Sequence, residues 1–336
     1  MMEYRPLGKT GVQVSRYCLG TAFLGSQTPL DRSIEIVHRA CDLGINFIDT
    51  ANTYGDRRFK GDRPGYPDIW PAVEEVVGRA IADRRDRVIV ATKVCEPVGD
   101  GPNDRGLSRH FIMRQVEISL RRLGTDYIDV YYAHHPDPRT PIDETLRAFD
   151  DLVRQGKVRY IGISNFCGWQ IAESLWMAER HHAAAPVVMQ TNYNLLSRDA
   201  EAEQLPALAH FGLSSFAFAP LAGGTLTGKY TVGAEPAAGS RGEFWADRPG
   251  NVARASSSPV RDERVLRQVA VLRDWAEERG HTAAQVALAW LLGNSQLTGV
   301  ISGASTVRQL EESVGALEVE LTADDRAAIA HIFGGH

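Results

Sequence analysis

Four ionisable residues stand where apolar runs of this chain end. Ile45 to Asp49 closes on Asp49, and Tyr54 follows a few residues later in Thr50-Ala51-Asn52-Thr53-Tyr54-Gly55. Val88 to Lys93 closes on Lys93, and Tyr127 to His134 closes on His134. Successive buried-type strands that each deliver an ionisable group at the C-terminal end predict an active site on the rim of a parallel sheet or barrel. The chemistry is proton transfer to a carbonyl oxygen. A buried lysine stabilises a neighbouring phenolate and lowers the tyrosine pKa from its ordinary value of about 10. An aspartate paired with that lysine holds the charge in place, and a histidine nearby donates a hydrogen bond to the carbonyl oxygen. Singly, the residues have plainer readings: a loop cap for Tyr54, a surface lysine for Lys93, a turn or N-cap for Asp49. Their occurrence together argues against those.

The elements that must position these residues alternate as βα units. Tyr4 to Leu7 and Val12 to Val14 read as a hairpin that closes the bottom of a barrel. Strands are expected at Tyr17 to Thr21, Ile45 to Asp49, Val88 to Lys93, Tyr127 to His134, Val158 to Ile163, Val187 to Gln190, Leu213 to Phe218 and Gly299 to Ser302. Eight is the number a closed parallel barrel needs. Helices fit Leu30 to Leu43, Ala72 to Arg84, Ser108 to Leu123, Ile142 to Gln155, Gly168 to His181 and Arg198 to His210, with Ser108 and Asp199 as N-caps. The apolar run Ala283 to Leu292 is too short to span a bilayer and reads as a buried helix. The expected architecture is an α/β fold, a (β/α)8 TIM barrel with an N-terminal β-hairpin, in one domain over residues 1–336. Two long segments break the alternation, Gly55 to Pro71 and Thr231 to Val260; both would leave the C-terminal face, where substrates bind.

Composition narrows the class. A chain of 336 residues with 43% hydrophobic and 24% charged content reads as an ordinary soluble globular protein. A net charge of −5 gives no reason to expect nucleic acid. No basic start precedes an apolar segment, so neither a signal peptide nor a membrane partner is expected. Cys18, Cys41, Cys95 and Cys167 lie far apart without metal or redox spacing, and reduced thiols in a cytoplasmic protein are expected. The pair His134-His135 raises a metal site, but adjacent strand residues point to opposite faces. No metal is expected on that ground.

Five segments together resemble the aldo-keto reductases. They are Phe47 to Gly55, Ala91-Thr92-Lys93, Leu123 to Asp129 running into His134, Gly162-Ile163-Ser164-Asn165-Phe166, and Gln190-Thr191-Asn192-Tyr193-Asn194. The resemblance covers about Tyr4 to Phe333. Within the family, Ala219 to Gly224 followed by Gly228-Lys229-Tyr230 is similar to the branch of aryl-alcohol dehydrogenase-like enzymes, aflatoxin-aldehyde reductases and potassium-channel β-subunits. It implies Tyr54 as general acid in reduction, with Asp49, Lys93 and His134 completing the catalytic set. His135 would line the substrate pocket.

The cofactor implied is NADPH, with NADH the lesser alternative. Ser164, Asn165 and Gln190 match positions that hydrogen-bond the nicotinamide carboxamide, and Phe218 matches the aromatic that stacks on the ring. Gly20, Thr21 and Asp49 fall at the cofactor's edge of the first two strands. Ala219 stands where relatives carry serine, followed by Pro220. Leu221, Gly223, Gly224 and Lys229 match the loop over the pyrophosphate. At the adenine end, Ser302, Gly303, Ser305, Gln309, Glu312 and Ser313 run from a strand into a helix N-terminus, a ready anion site. Some relatives have arginine at Gln309, and asparagine is common at Ser313; Arg308 is one residue away.

The substrate is expected to be a small carbonyl compound. Arg57, Arg58, Lys60 and Arg63 beside Tyr54 suit an anionic or hydroxyl-rich one; Phe23, Trp70, Phe166 and Trp245 suit an aryl one. Homo-oligomerisation is left open. Two other readings compete: a nucleotide-binding accessory subunit with little turnover, and a barrel isomerase or lyase. The second needs a phosphate site without nicotinamide contacts, against which Gly162 to Phe166 and Gln190 argue.

Overall fold

The computed structural model describes residues 2–55, 72–237, 240, 242–243 and 259–334. Its centre is a closed parallel barrel of β3 (Tyr17–Gly20), β4 (Phe47–Asp49), β5 (Ile89–Val94), β6 (Ile128–Ala133), β7 (Val158–Ser164), β8 (Pro186–Asn192), β9 (Ser214–Phe218) and β10 (Gly299–Ser302), with β10 pairing both β9 and β3. All eight expected strands are present. The hairpin is β1 (Tyr4–Pro6) and β2 (Gln13–Ser15), paired antiparallel.

Side-chain alternation decides what reaches the site. Cys18, Phe47, Ala91, Val130, Tyr132, Val188, Phe216 and Ile301 form one buried cluster inside the barrel, and Leu7 and Val14 of the hairpin plug it from below. Two residues further along the same faces stand Asp49 after Phe47, Lys93 after Ala91, His134 after Tyr132, Gln190 after Val188 and Phe218 after Phe216. The interior core is thus the floor on which the polar residues sit.

The other parity faces the helices. These are α1 (Leu30–Asp42), α2 (Val73–Ile81), α3 (Arg109–Leu123), α4 (Ile142–Arg154), α5 (Gly168–Arg180), α6 (Gln204–Phe211), α7 (Glu263–Glu277), α8 (Ala283–Leu292), α9 (Val307–Val314) and α10 (Ala323–Ile332). Ser108 caps α3 as expected, accepting from the Phe111 N–H at 3.3 Å. Ala283 to Leu292 is buried except for the half-buried Gln285. Among the described residues, no helix is long and apolar enough to cross a membrane.

The segment Arg198 to His210 corrects the sequence reading. It is a 3-10 turn, Asp199–Glu201, followed by α6 from Gln204. Pro206 lacks an N–H and is tolerated only in the first turn of a helix, so a helix begun at Arg198 would place it in the interior. The turn is tied down by Glu201, which accepts from Tyr193 at 2.6 Å and pairs with Arg198 at 2.8 Å. Asp199 lies within the turn and is no N-cap. The alternation also did not mark α7 and α10, which are capped by Asp262 and Thr322.

Candidate active site

Asp49, Tyr54, Lys93 and His134 converge at the C-terminal mouth. Lys93 Nζ donates to Asp49 Oδ2 at 2.6 Å, to the Thr50 carbonyl at 2.7 Å and to the Tyr54 hydroxyl at 3.3 Å. Its side chain is 1% exposed and that of Asp49 4%. Burial works against the Lys93 ammonium, but the Asp49 carboxylate and Tyr54 outweigh it and hold its pKa above the ordinary lysine value. Burial likewise pushes the Asp49 carboxyl up, and Lys93 and Gln190 offset only part of that. The His134 ring stands edge-on to the Tyr54 ring with centroids 6.1 Å apart.

Backbone contacts fix these groups. Thr50 N–H donates to Ala91, and Asn52 N–H to Lys93, so the loop after β4 hangs on β5. The Tyr54 carbonyl accepts from Val73 N–H at 3.0 Å, at the start of α2. His134 N–H donates to the Val94 carbonyl, and the His134 carbonyl accepts from Asn165 Nδ2 at 3.0 Å.

The other half of the mouth holds the nicotinamide candidates. Ser164 pairs in register with Gln190 across β7 and β8. Asn165 has φ 63 and donates to Ser164 Oγ at 2.9 Å. Gln190 Nε2 donates to Asp49 Oδ1 at 2.6 Å, tying the two halves together. Thr21 Oγ1 donates to the Asp49 carbonyl at 2.8 Å, and Gly20 pairs with Asp49 in register. Phe218 is half-buried at the end of β9.

Beyond β9 the backbone forms a cradle. Ala219 and Ala222 have φ 51 and 47, and Gly223 and Gly224 have φ 66 and 95. At φ 95 the Gly224 backbone is in a region that residues with a Cβ rarely adopt, and a Cβ there would also crowd Lys229 Nζ at 3.0 Å. Asn194 Nδ2 donates to the Ala219 carbonyl at 3.1 Å, and Pro220 is buried beneath while Leu221 is half-buried. Positive-φ backbone with a lysine at its edge fits a diphosphate.

At the adenine end the candidates divide. Ser305 Oγ donates to Gln309 Oε1 at 2.8 Å on the exposed first turn of α9. Gly303 is exposed there and Glu312 half-exposed. Ser302 and Ser313 turn inward instead, beside the Tyr17 phenol, whose pKa burial pushes up to about 12. Ser313 is therefore not brought to that surface.

The substrate-pocket candidates divide as well. His135 is at the mouth, its Nε2 2.9 Å from Glu96 Oε1. Phe23 is half-buried in the loop after β3. Phe166 is 2% exposed and packs in the helix-side core, so it is a core side chain and not an open pocket wall. Trp70 and Trp245, with Arg57, Arg58, Lys60 and Arg63, lie outside the described residues.

The sequence argument that separated His134 from His135 does not hold. β6 ends at Ala133 and its ladder reaches no further than the His134 N–H on Val94, so alternation does not extend to His135, whose ring stacks on that of His134 with centroids 4.9 Å apart and planes 16° apart. Sequence reasoning also missed Glu96, which follows β5 outside any recognisable pattern. It missed Glu74 of α2, fully buried, which accepts from Thr92 Oγ1 at 2.6 Å and from Arg122 Nη1 at 3.3 Å. Arg122 also donates to the Asn52 carbonyl at 2.9 Å. A carboxylate on an otherwise apolar helix face was the available signal.

The sequence model of the aldo/keto reductase family matches residues 16–333. The chain belongs to the aldo/keto reductase family. It is 41% identical to the uncharacterized oxidoreductase YrpG of Bacillus subtilis over 99% of this chain and 97% of that protein. It is 37% identical to a protein of Arabidopsis thaliana named a probable voltage-gated potassium channel subunit beta, over 95% of this chain and 92% of that one. It is 34% identical to the L-glyceraldehyde 3-phosphate reductase of Escherichia coli K12, over 94% and 88%. An aldo/keto reductase is an oxidoreductase acting on small carbonyl compounds, and the closed barrel agrees with that membership.

Proposed function

We propose that this chain, as one barrel domain over residues 1–336, is an NADPH-dependent reductase that converts an aldehyde or ketone to an alcohol in the cytoplasm. The observation that supports it is the buried Lys93 ammonium, held at 2.6 Å by Asp49 and placed 3.3 Å from the Tyr54 hydroxyl. A fixed positive charge beside a phenol favours the phenolate, which eases release of the proton to a carbonyl oxygen. Tyr54 is the general acid, His134 orients the oxygen, and Asp49 keeps Lys93 charged. The nicotinamide cofactor supplies the hydride when bound. Ser164, Asn165 and Gln190 hold its carboxamide, and Gln190, with Nε2 committed to Asp49, presents its carbonyl oxygen as acceptor. Phe218 packs on the ring. Ala219 through Gly224 and Lys229 hold the diphosphate, and Ser305, Gln309 and Glu312 the adenosine end. No metal takes part in the step.

The likeness to a protein named as a channel subunit favours a second reading, a nucleotide-binding accessory role. One experiment separates them: NADPH consumption with aryl aldehydes, aliphatic aldehydes, ketosugars, α-dicarbonyls and L-glyceraldehyde 3-phosphate, beside a Tyr54→Phe variant. The expected result is turnover that falls by about 10²–10⁴-fold in the variant, the usual worth of a general acid, with NADPH binding unchanged. Tight NADPH binding without turnover on any compound supports the accessory role instead.

A further inference from the structure

Glu96, His134 and His135 offer one ligand atom each, and these atoms all lie within 4.8 Å of one another. Among the described residues this is the one such group of three. Its members come from two adjacent loops, after β5 and after β6, whose anchoring strands pair in register as far as Val94 and Ala133. The site is therefore built on barrel strands. The side chains of His135 and Glu96 are 36% and 15% exposed, and His134 is 9% exposed, so an ion can enter from solvent past His135 and reach His134 within.

We infer that Glu96, His134 and His135 bind a late first-row divalent ion such as Zn2+, and that the ion inhibits the enzyme by occupying His134. Two imidazoles and a carboxylate suit Zn2+ and not Mg2+ or Ca2+, which prefer all-oxygen shells. Tetrahedral zinc has bonds of about 2.0–2.1 Å, which puts donors about 3.3 Å apart. His135 Nε2 and Glu96 Oε1 already stand at 2.9 Å, and the His134 nitrogen, within 4.8 Å of both, has to close the remaining gap for the ion to be held by all three. The carboxylate cancels half the ion's charge, and the fourth position stays open toward the mouth. An ion held on His134, whose ring centroid is 6.1 Å from that of Tyr54, stands at the mouth where the carbonyl oxygen must approach, so inhibition is competitive with the carbonyl compound. The inhibitory clause rests on the proposed reductase function; the binding clause does not.

The test uses the untagged full-length chain. Co2+ is titrated and its visible absorption followed, then Zn2+ is added to displace it. The wild type is expected to saturate at one ion per chain. Glu96→Gln and His135→Ala each weaken the affinity by at least about tenfold, the lower end of what disturbing even an outer-shell partner costs. Changing the exposed pair His181 and His182 to asparagine, beyond the end of α5, leaves it unchanged. Zn2+ raises the apparent KM for the carbonyl substrate in the wild type and not in Glu96→Gln, and a chelator reverses it. Absence of a Co2+ band overturns the site, as do titrations of both variants that superimpose on the wild type. Zn2+ that binds there yet leaves turnover unchanged or raises it overturns the inhibition. A protein without turnover on any substrate fails as a reductase, while the Co2+ titration still decides the site.

Discussion

Replacing Glu74 tests how the Tyr54 loop is held. Glu74 is fully buried and joins three elements: its own α2, Thr92 beside Lys93 on β5, and Arg122 on α3. Glu74→Ala strands the Thr92 hydroxyl and the Arg122 guanidinium. Breaking a buried charged pair costs about 3–5 kcal/mol. The Arg122 side chain is 32% exposed, so water screens part of the loss and the lower end, about 3 kcal/mol, is expected. Glu74→Gln keeps the shape: its carbonyl can accept from Arg122 while its NH2 donates to Thr92, and a cost within about 1 kcal/mol is expected. The two variants also differ in pH dependence. Burial raises the Glu74 pKa above its ordinary value against the pull of Thr92 and Arg122. The folded state then holds the proton more tightly than the unfolded chain. Glu74's contribution is fully present below the unfolded pKa and is lost as pH rises through the folded pKa, at up to about 1.4 kcal/mol per pH unit. Glutamine has no such term, so the wild type loses ground to Glu74→Gln as pH rises across that window. Urea unfolding from about pH 4 upward, followed by far-UV circular dichroism and tryptophan fluorescence, measures both effects. A glutamine variant as unstable as the alanine one would refute the reasoning, as would a wild-type advantage that grows with pH.

Two further outcomes follow from the same packing. Lys93→Met leaves the Asp49 carboxylate buried without its cation and should cost about 3–5 kcal/mol, whereas Lys93→Met with Asp49→Leu should recover much of that, as measured in a double-mutant cycle. Gly162→Ala would drive a Cβ into the ring of Tyr132, which is fully buried in the barrel interior, and should lower stability by about 1–3 kcal/mol in thermal unfolding.

The barrel was legible because its strands are short apolar runs that alternate with helix patterns, several of them closing on or beside a polar residue. Asp49, Lys93 and His134 could be read as strand ends, and the structure places all three on the inward parity, above Phe47, Ala91 and Tyr132. What the sequence hid was of two kinds. The first is the place where a strand stops: the reading carried β6 through His134, which separated two histidines that the structure stacks. The second is contact between elements distant in the chain. Nothing in the neighbourhood of Glu74 announces Arg122, and nothing near His135 announces Glu96, because each pair is made by the side-by-side packing of successive βα units, α2 against α3 and the loop after β5 against the loop after β6. Phe166 belongs with these, since the motif Gly162 to Phe166 gives no sign that its last side chain turns toward the helices. Ser313 likewise matched by alignment while its helix face turned it toward Tyr17.

The bond from Gln190 to Asp49 shows why the two halves of the mouth belong to one device. In the order β10-β3-β4-β5-β6-β7-β8-β9, the strands β4 and β8 stand opposite each other. One oxygen of Asp49 takes the Lys93 ammonium and the other takes Gln190, both at 2.6 Å. A single buried carboxylate thus orients the lysine beside Tyr54 and, across the barrel, a side chain proposed to hold the carboxamide. Both its oxygens are engaged, which is what makes a charge tolerable in a setting that burial alone would neutralise. The same economy ties proton delivery to cofactor position: a shift of Gln190 moves Asp49, and a shift of Asp49 moves the ammonium that Tyr54 depends on. A barrel suits this arrangement because opposite strands are fixed by closure, and no hinge lies between the two residues that the carboxylate joins.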